Sequence, residues 1–261
     1  MVAAGCADGG FALPLGPMSN DMLISYIMMP LSGVVQMTVL DVFAVAWLIF
    51  LVAGMSWYID TGPHAAESAS GLMRARRMGW MQEMSLREVR IVDSALLGGL
   101  QRGSSFFAST SLFCLGGLLA MMGQAERLAD VADSMPFAHP SGPDAFRVRL
   151  IAPVAMIVFS FFKFAWAQRL FGYCAVMIGA TPEKRDGNDA EIRRTARDAG
   201  QLNWLAARSF ARGLRGLYFT LGSLAFLIGP LALIAASSAV ALMIYRREFR
   251  SESRAAMLGR F

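Results

Sequence analysis

The chain has 261 residues, of which 56% are hydrophobic and 16% charged, with a formal net charge of +5 and a mean hydropathy of +0.48. A soluble domain is about 45–50% apolar, so the composition excludes an ordinary water-soluble enzyme and points to a chain that meets lipid. Its three cysteines, Cys6, Cys114 and Cys174, have no paired spacing, which argues against a disulfide framework or a zinc site.

The first 37 residues carry no Lys or Arg, so they lack the positive segment that opens a secretory signal. Residues 1–37 read as an N-terminal extension. The stretch Met22–Leu40 is uncharged but broken by Pro30, Ser32 and Gly33, and reads as an interfacial or partner-contact arm. Four apolar runs follow: Val42–Ile59, Ser104–Gly123, Leu150–Gln168 and Gly216–Tyr245. A hydrocarbon core of about 30 Å takes roughly 20 apolar residues as a helix, so each run is a candidate span. The expected fold is an all-α integral membrane protein with four transmembrane helices and amphipathic cytoplasmic helices. The membrane domain covers 38–251, and 252–261 form a basic tail.

Span one ends on Trp57 and Tyr58, rings that favour the headgroup zone. After it, Ser85-Leu-Arg-Glu88 has a capping-box pattern that predicts a helix start. Val89, Val92, Leu96 and Leu100 then recur at helical spacing, which predicts one apolar face of a helix running into span two. Within span two, Gly116 and Gly117 are small residues of the kind that let helices approach closely in lipid. A polar loop with three prolines, 124–149, separates it from span three. Span three continues past Arg169 as one long helix that Thr181-Pro182 would end. Asn188-Asp-Ala-Glu191 predicts the next helix start. Ile192, Ala196, Ala199, Leu202, Ala206 and Phe210 mark an apolar face there, opposite Arg193, Arg197, Arg208, Arg212 and Arg215. In span four, Ala225, Gly229, Ala232 and Ala236 form a small-residue seam, and Pro230 would kink the helix.

Cytoplasmic loops collect Lys and Arg. The segments after spans one and three hold fifteen basic residues. Four crossings leave both termini on the opposite side, which then holds Arg127, Arg147, Arg149 and the five arginines of the tail. That tail conflicts with the termini-out arrangement.

Several segments carry a family resemblance. Arg87-Glu-Val-Arg-Ile-Val-Asp93, the run from Gly98 to Thr110 and Leu115-Gly-Gly-Leu-Leu119 resemble the domain of unknown function family 599. So do Lys163-Phe-Ala-Trp166, Gly213–Phe219 and Tyr245-Arg-Arg-Glu-Phe-Arg-Ser251. The likeness covers about residues 38–251. It implies small multi-span membrane proteins and transfers no activity.

The residues offer few chemical candidates. Lys163 is an intramembrane cation, either a ligand or ion site or a side chain snorkelling to the interface. The arginines at 193–215 are candidate contacts for anionic headgroups or an acidic partner. Arg90 and Asp93 are expected to form a structural ion pair. His64 and His139 lie outside the spans, so paired imidazoles cannot hold a haem between the helices. No nucleotide, hydrolase or metalloprotease motif is present, and no cofactor or nucleic-acid partner is expected. The expected role is a non-catalytic accessory, scaffold or assembly subunit of an inner-membrane complex, contacting lipids and other subunits or itself. The alternative is a small oligomeric transporter or channel with Lys163 near the pathway.

Overall fold

The computed structural model describes residues 37–134, 142–183 and 188–259. The expected arm before Met37, residues 135–141 of the polar loop, and Arg260 lie outside the described residues. Eight α-helices occur among the described residues: α1 (Val39–Asp60), α2 (Ala69–Ser85), α3 (Ile91–Gly123), α4 (Ala125–Asp133), α5 (Pro143–Ala180), α6 (Asp189–Ser223), α7 (Pro230–Phe249) and α8 (Glu252–Met257). Two 3-10 turns, Ala65–Glu67 and Leu224–Leu227, join them, and no strand is described. Four helices are long and apolar enough to cross a membrane.

Helix starts follow local chemistry. α1 begins with a complete capping box: the Asp41 amide donates to the Thr38 hydroxyl, and the Thr38 amide donates to the Asp41 carboxylate. α5 and α7 each start on a proline, whose missing N–H costs nothing in a first turn. Pro230 therefore begins α7 and does not kink span four. α5 ends at Ala180 and α6 starts after Asn188, as the sequence predicts. Ser85 closes α2 instead of opening a helix, and part of the expected 124–149 loop is the helix α4.

The main packing unit is α3, α5 and α6 in antiparallel succession. Phe107 stacks on Phe164 at 5.3 Å between α3 and α5. Between α5 and α6, a Cβ on Gly213 would stand 2.7 Å from the Phe164 ring, and one on Gly216 would meet Ser160 Oγ. Only glycine allows that approach. These positions, not Gly116 and Gly117, are the close-packing glycines: a Cβ on either of the latter meets nothing within 4 Å. The predicted seam at 225–236 is likewise split by the turn, with Ala225 in the 3-10 segment and Gly229 capping α7. Ala236 keeps a tight neighbour in Gly222. Ala232 is half-buried on α7.

The last third of α6 returns along α5 through the bundle. Its 3-10 extension brings Phe226 under the Arg149 guanidinium, 5.5 Å from the ring, and Leu224 and Leu227 onto the cluster around Leu150 and Ile157. α7 then runs parallel to α1. Trp47 donates to Ser238 near their starts, and Tyr58 stacks with Tyr245 and Phe249 near their ends. The start of α1 and the end of α7 therefore lie at opposite ends of the bundle. This corrects the termini-together arrangement, which missed the extra pass made by α6. The described tail arginines, Arg246, Arg247, Arg250 and Arg254, share the end that holds α2 and the basic segments, so the charge conflict disappears.

Two levels bracket the membrane part. At one end Arg149 pairs with Asp41; at the other, Asp60 meets the α6 arginines. The two carboxylates are 19 residues apart along α1, about 28 Å at 1.5 Å per residue, close to a hydrocarbon core of about 30 Å. Beyond Asp60, α2 and the near ends of α3, α5 and α6 form a four-helix projection. Its core is Met81, Met84, Leu97, Leu170, Phe171, Cys174, Ile178, Ala199 and Ala206. α2 alone, with 17 residues, is about 25 Å long.

Candidate functional site

The junction between membrane part and projection collects most of the buried charge. Asp60 ends α1, an unfavourable place for a carboxylate because helix carbonyls converge there. Three guanidinium groups from α6 compensate: Arg215 at 2.9 Å, Arg212 at 2.5 Å and Arg208 at 3.5 Å. The Asp60 and Arg215 side chains are 2% and 6% exposed. Positions 208, 212 and 215 recur at spacings of four and three, so one helix face delivers all three. They were expected to contact anionic headgroups or an acidic partner; the structure turns them onto Asp60 of the same chain. Arg193 and Arg197, further out on α6, remain exposed. Asp60 carried no distinguishing pattern in the sequence beyond its place at the end of a span.

Beside this cluster lies a cavity of about 500 Å³. Its polar lining includes Asp60, Ser70, Arg77, Arg208, Arg247 and Glu248. Glu248 accepts hydrogen bonds from the Ser70 amide and hydroxyl in the first turn of α2, where helix N–H groups favour a carboxylate. Arg77 donates to Asn203 at 2.5 Å and meets no carboxylate among the described residues. Burial holds the Arg77 guanidinium below its ordinary pKa. Arg247 donates to the Tyr218 hydroxyl at 2.6 Å. Apolar walls come from Met73, Phe171, Trp204 and Phe210, and from Gly99 and Gly103 on α3.

Lys163 is not in this cavity. Its Nζ lies 5.4 Å from the Phe159 ring centre on the half-exposed side of α5, a cation–π contact. Beside it, Phe107, Phe164 and Phe210 stack within 5.5 Å of one another and fill the space between α3, α5 and α6.

The expected Arg90–Asp93 pair is replaced by two separate devices. Asp93 is fully buried and accepts from Arg87 at 2.6 Å and from Trp80 Nε1 at 2.7 Å. Arg90 caps α5, donating to the carbonyls of Ile178, Thr181 and Pro182. Neighbour spacing suggested the wrong partner because Trp80 and the end of α5 are distant in sequence.

Anchoring Asp93 also rotates α3. The buried face is Asp93, Leu97, Ser104, Ala108 and Ser111. Of the predicted apolar face, Val89, Val92 and Leu96 point outward, 65%, 63% and 55% exposed, while Leu100 packs on the projection core. Val92, Leu96, Gly99, Gly103, Phe106, Thr110, Phe113 and Gly117 continue at alternating steps of four and three, the spacing of a seam that packs against another helix. No described helix covers it.

These features define a multi-pass α-helical membrane protein with a projecting helical bundle and a charged junction between the two. The chain belongs to the family described as "Protein of unknown function, DUF599", whose model matches residues 43–253. No curated protein and no solved structure matches it.

Proposed function

We propose that this protein is a non-catalytic subunit of a bacterial-type inner-membrane assembly, acting as a scaffold for another membrane-spanning subunit. The observation that supports this reading is the uncovered α3 seam. It runs from Val92 to Gly117, 25 steps and about 38 Å, longer than the hydrocarbon core of about 30 Å. Lipid covers the part within the bilayer; Val92 and Leu96, together with Leu86 and Ile91 at the tip, stand beyond it in water. An apolar patch of this kind marks a contact surface. The occupant that matches its whole length is a helix that crosses the membrane and projects on the same side.

The seam alternates bulky residues with glycine. Two copies paired in parallel register would set Phe106 against Phe106 and Gly103 against Gly103, crowding one layer and leaving the next empty. A different helix with bulky apolar residues opposite Gly99, Gly103 and Gly117 fills it. The excess of basic residues on the projecting end supports a cytoplasmic projection. The closed aromatic stack and the position of Lys163 beside it favour scaffolding over conduction.

The test is purification in a gentle detergent followed by native mass spectrometry, with Leu96→Cys crosslinking. A stoichiometric foreign membrane subunit, crosslinked through position 96 and released by Leu96→Glu, is the expected result. A pure homo-oligomer crosslinked at the same position overturns the proposal.

A further inference from the structure

The geometry points to a second site: we infer that the junction cavity binds a phosphate group, carried on a lipid headgroup or free in solution. The inference does not depend on the docking seam. Three guanidinium groups, of Arg77, Arg208 and Arg247, line the cavity, and those of Arg212 and Arg215 stand behind it on Asp60, against two carboxylates in the lining, Asp60 and Glu248. Both carboxylates are already engaged. Asp60 is shared by three arginines, and Glu248 is held by Ser70. The excess positive charge has no internal counterion among the described residues.

Arg215 Nε and Nη1, buried behind the cavity wall, have no hydrogen-bond partner among the described residues, and Arg208 Nε, on the wall, has only the 3.5 Å approach of Asp60. Buried cations are costly unless paired. Guanidinium groups match phosphate oxygens in geometry as well as charge. Arg77 and Arg247 reach the cavity from α2 and α7, and each donates a hydrogen bond to a neutral partner, Asn203 and the Tyr218 hydroxyl. Two arginines from different helices, each with N–H groups beyond the one it spends, can donate to the same phosphate.

The space is suited to the ligand. At about 500 Å³ the cavity exceeds what one inorganic anion needs. Its basic wall is at the level where α1 leaves the membrane, and its apolar wall carries Met73, Phe171, Trp204 and Phe210. That pairing accommodates a glycerophosphate head with the first carbons of its chains. Gly99 and Gly103 keep the α3 wall open, since a Cβ on Gly103 meets nothing within 4 Å.

Gly103→Leu is the decisive variant. Gly103 lines the cavity and also lies on the α3 seam, so this variant is compared with Leu96→Glu, which breaks the seam away from the cavity and should leave binding unchanged; leucine has the higher helix propensity. Arg77→Gln removes a cation from the opposite wall. Full-length protein stripped of lipid in a neutral detergent is titrated with phosphatidic acid and, separately, with inorganic phosphate. Bound mass is read by native mass spectrometry, with circular dichroism as the folding control for each variant. The expected result is saturable phosphatidic acid binding that weakens by about tenfold or more in both variants, the loss of one charge-assisted contact or of its space. Inorganic phosphate binding with the same variant dependence and no lipid binding keeps the site and assigns a soluble source. Binding of neither, or binding indifferent to folded Gly103→Leu, overturns the inference.

Discussion

The membrane part and the projection solve opposite solvent problems with the same helices. Along α3, the membrane half shows Phe106, Leu112 and Phe113 outward, 50–83% exposed, and turns Ser104, Ala108 and Ser111 inward. Ser104 and Ser111 bond back to the carbonyls of Leu100 and Phe107, so no interhelical partner is needed. In the projection the interior is Met, Leu, Phe and Ile, as in a water-soluble bundle. Polar groups inside it include Asp93, whose Oδ1 takes Arg87 and Trp80, and Asn203, which takes Arg77. Lipid makes the outside apolar and leaves helix packing to small residues; water makes burial itself the driving force. The junction at Asp60 is where one regime replaces the other, and the charge collects there.

The comparison can be broken most severely at that junction. Asp60→Asn leaves three guanidinium groups facing one another without their shared carboxylate. Removing one partner of a buried ion pair costs about 3–5 kcal/mol, so a large fall in thermal midpoint of the detergent-solubilised protein is expected. An unchanged midpoint would mean that Asp60 does not hold α1 to α6.

A second contrast uses one substitution in both solvents. Phe113→Asp places a carboxylate near the middle of the lipid-facing face, where insertion scales assign about 3 kcal/mol, and membrane integration should fall. Val92→Asp, on the same seam but in the projection, should leave the monomer's stability within about 0.5 kcal/mol. Quantitative membrane fractionation of the two variants decides. Equal loss would place the hydrocarbon boundary beyond Val92.

The smallest effect sharpens the projection alone. Arg90→Gln removes the cap on the last carbonyls of α5, a loss of about 1 kcal/mol. Hydrogen exchange should rise around residues 174–181 and stay unchanged in the membrane half. A change spread over both halves would show that the cap also supports the span.

Much of the architecture was legible in the sequence because lipid imposes a long apolar run that few other contexts produce. The four spans, the end of α5 at Thr181-Pro182 and the apolar face of α6 all rest on period and punctuation. The outward stripe of α3 was legible as a stripe but not in direction. Periodicity identifies a face; which face is buried depends on Asp93, whose partners Trp80 and Arg87 are brought together only by folding. The arginines of α6 were likewise legible as a row, while their target at the end of α1 was not.

The sequence by itself determined that this chain is a multi-pass helical membrane protein with a basic, amphipathic flank, because hydropathy and charge act locally along the chain. Only the tertiary structure decided that α6 re-enters the bundle, that the start of α1 and the end of α7 lie at opposite ends, and that a charged cavity forms where α1, α2, α6 and α7 meet. Those depend on contacts between residues as far apart as Asp60 and Arg215 or Ser70 and Glu248, and no local pattern encodes a distance that long.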